Sequence, residues 1–186
     1  MHRKKISQWA WPFPQTDINF PAVVIFKDNK KTGKLSESIL EKLDIPENVV
    51  VFSTTSGWWL SSLDIQWIEF TFDEKEKGSY LFRDHAPAHL SHESQALLEK
   101  KGTEQTFIPK GLTGKYQPLD VGVNYPFKCY LNKSYHEWRD KCTEITKKGY
   151  LKKPSRQEFL YFVSEAWSKI KTSTVEKPFG RRQYLA

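Results

Sequence analysis

Short apolar runs alternate with longer amphipathic stretches along the chain, the pattern of an α/β fold. Residues 21–26 and 49–52 are short, apolar and β-branched, so both read as buried strands. Between them, Ser36 is placed to cap a short helix carrying Ile39, Leu40 and Leu43, stopped by Pro46. Ser61, with Asp64 as its capping-box partner, predicts a further helix. That helix would carry Leu63, Trp67 and Phe70 on one face and Ile65, Ile68 and Phe72 on another, which predicts burial between layers. Residues 28–33 and 73–77 read as loops.

The centre of the chain carries the clearest pattern. Residues 79–83 form a strand that delivers Asp84 at its carboxyl end. Ser91 caps a helix with Ala96, Leu97 and Leu98, closed by Gly102, and residues 103–108 form the next strand. This is a βαβ unit, hence a parallel pair with a right-handed crossover. After a loop, a long helix is expected over residues 118–147, ended by Gly149. Its apolar face would hold Phe127, Leu131, Ser134, Trp138, Cys142 and Ile145. Pro154 and Ser155 open a last helix, with Glu158 completing a capping box and Phe159, Leu160, Val163, Ala166, Trp167 and Ile170 facing inward. Residues 1–20, with Trp9, Trp11, Pro12, Phe13 and Pro14, have no period and read as a docked arm or a disordered tail. Residues 180–186 read as an exposed tail.

Charge changes this picture more than composition does. Residues 1–108 hold 13 Lys and Arg against 15 Asp and Glu, whereas residues 109–186 hold 16 against 7. The whole excess of +7 therefore lies in the C-terminal part and suggests a polyanion partner, nucleic acid before an anionic membrane. No apolar run approaches the roughly 20 residues needed to cross a bilayer, and no signal peptide follows the basic start. Two cysteines, Cys129 and Cys142, make no disulfide framework, which fits a reducing intracellular setting.

Asp84, ending a strand, and Asp120, opening the long helix, can converge on one cation from elements 35 residues apart. Hard carboxylate oxygens suit Mg²⁺ or Mn²⁺, and paired ions of this kind support phosphodiester chemistry. Lys110 and Lys115 flank the loop before Asp120, and Lys128 and Lys133 lie along the helix after it, all placed to meet a phosphate backbone. The alternative for each is a solvated face. His85, His89 and His92 carry a weaker zinc reading, since Pro87 breaks any regular presentation. The pair Trp58 and Trp59 can pack in the core or stack on bases.

The wording of two segments adds a family. Phe82-Arg83-Asp84-His85-Ala86-Pro87-Ala88-His89-Leu90 resembles the second catalytic block of the pogo, Tigger and jerky type transposases, the DDE superfamily endonucleases, usually worded Asp-Asn-Ala-Pro-x-His. The segment 108–128, from Ile108-Pro109-Lys110-Gly111-Leu112-Thr113-Gly114-Lys115-Tyr116 through Gln117-Pro118-Leu119-Asp120-Val121-Gly122-Val123-Asn124-Tyr125-Pro126-Phe127-Lys128, resembles the block around the third catalytic carboxylate. The resemblance covers residues 21–179. It implies an RNase H-like mixed sheet flanked by helices, truncated at its N-terminal strands, with residues 1–20 outside the family pattern. It implies Asp84 and Asp120 as the second and third catalytic, metal-binding carboxylates, His89 as the residue orienting the acidic loop, and Mg²⁺ or Mn²⁺ as cofactor. DNA is the implied partner, with self-association, no membrane, no small-molecule substrate, and the nucleus as location.

Three departures bear on activity. The strand carrying the family's first Asp has no counterpart here, Asp17 being the nearest acid. His85 stands where the family has Asn, and the expectation from residues 1–20 is a domain without the family's helix-turn-helix module. The expectation is a transposase-derived domain that binds nucleic acid with cleavage and strand transfer lost. The alternative is a non-catalytic domesticated module for DNA or protein binding.

Overall fold

In a computed structural model, the described residues are 10–11, 20–28, 31, 35–72 and 79–175. The calls on residues 73–77 and 180–186, and Asp17, lie outside them. The apolar run after Pro21 becomes strand β2 (Ala22–Lys27), after β1 (Ala10–Trp11). Helix α1 (Glu37–Leu40) follows as a single turn, and then β3 (Val49–Thr54), parallel to β2 with Ala22 opposite Val49 and Lys27 opposite Thr54. Both faces of this pair are covered, which is why β2 reads as continuously apolar. Ala22, Val24 and Phe26 join one core cluster, whereas Val23 and Phe52 pack against another.

Helix α2 (Ser61–Thr71), strand β4 (Ser79–Arg83), helix α3 (His92–Lys100) and strand β5 (Thr103–Phe107) make the expected βαβ unit. β4 and β5 are parallel, with Ser79 opposite Thr103 and Arg83 opposite Phe107. Ser91 caps α3 by accepting the Ser94 N–H at 3.2 Å, and Gly102 leaves it at a φ of 73°, a left-handed turn that favours glycine. On the other side of β4, β1 pairs antiparallel, Ala10 opposite Leu81 and Trp11 opposite Tyr80. A short piece of the aperiodic arm is thus docked as a strand.

Four expectations need correction. The strands do not make one mixed sheet: among the described residues they form a three-stranded sheet, β1-β4-β5, and a two-stranded sheet, β2-β3. β4 already has a neighbour on each side, and Val23 of β2 and Phe52 of β3 pack against the cluster that holds Leu81 of β4. Leu60, not Ser61, occupies the N-cap of α2 and has no polar side-chain atom to make a cap bond, while Asp64 is turned inward. α2 buries the single stripe Leu63, Asp64, Trp67 and Ile68, leaving Phe70 exposed. The long helix is also divided, as the next paragraph describes.

Helix α4 (Thr113–Tyr116) leads into a π-helical turn (Leu119–Val123) and then helix α5 (Asn124–Lys141). Pro126 has no N–H to give to Gly122, and its ring would strike that carbonyl in an α-helix. The chain answers with a wider turn, in which Asn124 N–H bonds Leu119 O, five residues back. α5 stops at Cys142, and Ile145 bridges Leu151 across a turn in which Gly149 has a φ of 79°. Helix α6 (Arg156–Ser168) then packs its face of Leu160, Val163, Ala166 and Trp167 onto β2, β3 and α5. Among the described residues no helix is long and apolar enough to cross a membrane.

The α6 capping box forms as the sequence predicts: Glu158 N–H bonds Ser155 Oγ at 3.1 Å, and Ser155 N–H bonds Glu158 Oε2 at 2.6 Å. The Ser155 backbone N–H, then its hydroxyl, hold the Glu158 carboxyl below its ordinary pKa, helped by Trp138. Glu165 is held down by Lys169 first and by Ser134 second. Groups whose folded pKa is depressed stabilise the fold above their unfolded pKa and lose that contribution as pH falls through the folded value. Urea midpoints should therefore fall on acidification below about pH 4.5. Glu158→Gln should make that fall shallower; an acid limb as steep as in the parent chain would refute the contribution.

Candidate functional site

Arg83, the last residue of β4, has no exposed surface and forms an ion pair with the equally buried Asp64 of α2. Trp59 Nε1–H donates to the same Asp64 oxygen at 2.9 Å, and Arg83 Nη1 donates to Gln105 Oε1 of β5 at 3.2 Å. Burial lowers the Arg83 pKa, while Asp64, and more weakly Asp84, raise it. An arginine stays protonated under such opposition. Asp64 is therefore the counter-ion of a buried cation rather than an acid open to a ligand, and its Oδ2 is buried without a hydrogen-bond partner.

This pair anchors the strand end that presents Asp84. The Asp84 Oδ1 accepts the Ala86 N–H at 3.0 Å, a side-chain turn typical of Asp. The same oxygen lies 2.8 Å from Nδ1 of His89, which is 2% exposed. His89 Nδ1 is also 3.2 Å from the Asp84 carbonyl, so the ring braces both ends of the residue. Asp84 itself is 26% exposed. The other two histidines of the zinc reading do not join in. His85 packs its ring on Phe107 at 5.4 Å, and His92 is exposed at the start of α3. Among the described residues no three His, Cys, Asp or Glu form a group able to hold a metal.

Asp120 sits in the π turn, and that turn decides which way it faces. Leu119, Val123 and Phe127 are all buried, at 4%, 2% and 4% exposure, although they are spaced by four. An α-helix advances about 100° per residue, so seven residues make nearly two turns. Asp120, seven before Phe127, would then stand on the core line. The wider turn keeps the four-spaced residues in line instead, and Asp120 is exposed. Asn124 Nδ2–H donates to Asp120 Oδ1 at 2.7 Å. Both acids lie beyond the carboxyl ends of parallel strands: Asp84 directly after β4, Asp120 on the segment leaving β5, where Ile108 N–H bonds Arg83 O at 2.8 Å. Open α/β sheets gather ligands on that side.

Lys110, Lys115 and Lys128 are exposed, and none has an ion-pair partner among the described residues. Lys133 is also exposed but shares its charge with Glu137, four residues on, at 3.8 Å. The tryptophan pair splits: Trp59 joins the core beside Trp67, and Trp58 is 53% exposed. Cys129 is exposed and Cys142 half-buried, both as free thiols. Asn124 and the Asp64–Arg83 pair escaped the sequence reading. An Asn four residues after an Asp on a helix is a hydrogen-bonding spacing, and that was the available signal for Asn124.

The profile of a family described as DDE superfamily endonuclease matches residues 15–179. The chain belongs to the DDE superfamily endonucleases. It is 28% identical over 135 residues to a human protein named "Pogo transposable element with KRAB domain", covering 67% of this chain and 22% of that protein. The mouse protein of the same name is 25% identical over 131 residues, with the same coverage. A human "Pogo transposable element with ZNF domain" is 26% identical over 110 residues, 55% of this chain and 7% of that protein. The chain thus spans about a fifth of the length of the first two curated relatives it matches. No solved structure matches it.

DDE superfamily nucleases are in general dependent on divalent metal ions. Asp84 and Asp120 each offer hard carboxylate oxygens, the donor chemistry that suits such an ion when water and phosphate oxygens complete its shell. The pair does not fit two adjacent ions, because no third acid joins them among the described residues.

Proposed function

We propose that this chain is a transposase-derived DDE domain that binds DNA and places one Mg²⁺ or Mn²⁺ between Asp84 and Asp120, with strand cleavage and transfer lost or very slow. The observation that carries the reading is the family match across the two blocks, joined to the outward, hydrogen-bonded presentation of both acids. An RNase H-like fold is part of the same proposal, with its strands divided between the two sheets described above. His89 orients Asp84, and Lys110, Lys115, Lys128 and Lys133 contact backbone phosphates. A bound cation would supply charge stabilisation for a phosphate held there; the lysines bring that phosphate to the site. The proposal includes action on nuclear DNA, hence the nucleus as location, and self-association, which would bring two such domains onto one DNA.

The absence of a third acid among the described residues also favours a second reading, a non-catalytic module. Both readings are tested by measuring duplex DNA affinity against salt. Four lysine contacts give a log–log slope of about −3 to −4, and Lys110→Ala with Lys115→Ala should flatten it by about 2. A flat plot in the parent chain removes nucleic-acid binding. Robust Mg²⁺-dependent nicking that Asp84→Ala abolishes would overturn the loss of activity.

A further inference from the structure

Both acids are held from a short way downstream, Asp84 by the Ala86 N–H and His89, Asp120 by Asn124. The second pairing is the more informative, because Asp120 is exposed and nothing else among the described residues holds its side chain. An exposed carboxylate on a helix ordinarily samples several rotamers, and that freedom is lost when an ion is bound. Here the bond at 2.7 Å fixes one oxygen before any ligand arrives. The donor is an amide rather than a cation, so it orients Asp120 without cancelling the charge that a metal ion needs. Asn124 is itself fixed, since its backbone N–H closes the π turn onto Leu119 O and it opens α5.

We infer that Asn124 is a positioning residue for Asp120: its side-chain amide pins one carboxylate oxygen so that Asp120 meets a divalent cation already oriented. This rests on the reading of Asp120 as a metal-binding carboxylate. Partners of this outer kind change metal affinity by about 10- to 100-fold when removed, and the lower end suits so exposed a site.

The test is Mn²⁺ binding to the full chain, followed by the loss of the free-ion electron paramagnetic resonance signal, with melting temperature read in parallel. Asn124→Ala and the shape-preserving Asn124→Leu should each weaken Mn²⁺ binding about tenfold with little change in melting temperature. Asn124→Gln, which keeps the amide, should recover part of the loss, and Asn132→Ala, on the exposed side of α5, should change nothing. Binding by the parent chain that survives both Asn124→Ala and Asn124→Leu would overturn the inference and leave the metal reading standing. Weakening by Asn124→Ala but not by Asn124→Leu would also overturn it, by assigning the effect to the fold. A parent chain that binds no Mn²⁺ would sink the metal reading, and this inference with it.

Discussion

Asp64→Ala should destabilise the fold by about 3–5 kcal/mol, the cost of leaving a buried charge without its counter-ion. The substitution takes the carboxylate from Arg83 and removes the acceptor of Trp59 Nε1–H. Neither side chain of the ion pair has exposed surface, so water cannot replace the lost partner without opening the α2–β4 contact. Urea unfolding at neutral pH measures the effect. Replacing both partners by apolar residues, Asp64→Leu with Arg83→Met, should restore most of the loss, because a matched apolar pair escapes the desolvation of two ions. A single substitution costing under about 1 kcal/mol would mean that Arg83 is compensated by its other contacts. Double and single variants of equal stability would mean that packing, not charge, decides the site.

Trp167→Ala should cost a similar amount, about 3–5 kcal/mol, for a different reason. Trp167 is 4% exposed, stands edge-on to Phe127 at 5.7 Å, and donates Nε1–H to Phe20 O at 2.9 Å. Its loss leaves a cavity where α6, α5 and the entry to β2 meet, and an orphaned carbonyl as well. Trp58→Ala is the matched control. Trp58 is 53% exposed, and its removal should fall within about 0.5 kcal/mol of the parent chain. Equal effects at the two positions, read by thermal unfolding, would refute the assignment of the core.

What was legible in the sequence followed local rules. The central strand–helix–strand unit, the Ser91 and Ser155 caps and the inward face of α6 each depend on residues a few positions apart, and each formed as read. What was not legible depended on partners far along the chain. Asp64 reads locally as a capping acid, but Arg83, 19 residues on, claims it. Phe70 reads as core, yet no element among the described residues covers that face of α2. The long helix was read as one because periodicity alone does not register what Pro126 forbids, and it was carried past Cys142, where the chain turns away. The candidate acids could be named from two sequence blocks, but how Asp120 is presented depends on a turn that no propensity announces.

Two registers can be compared for the segment around Leu119, the wider turn that Pro126 favours and the α-helical one that it opposes, and burial acts on the same side as Pro126. In one, an apolar side chain reaches the interior and an acid looks out; in the other the two exchange places. The acid's outlook is thus underwritten by a neighbour that never meets solvent or a ligand. Damage to this corner of the molecule need not remove any charged residue: a polar group in place of Leu119 would set burial against the wider turn that Pro126 favours and weaken the presentation of Asp120 while every acid stayed in the sequence.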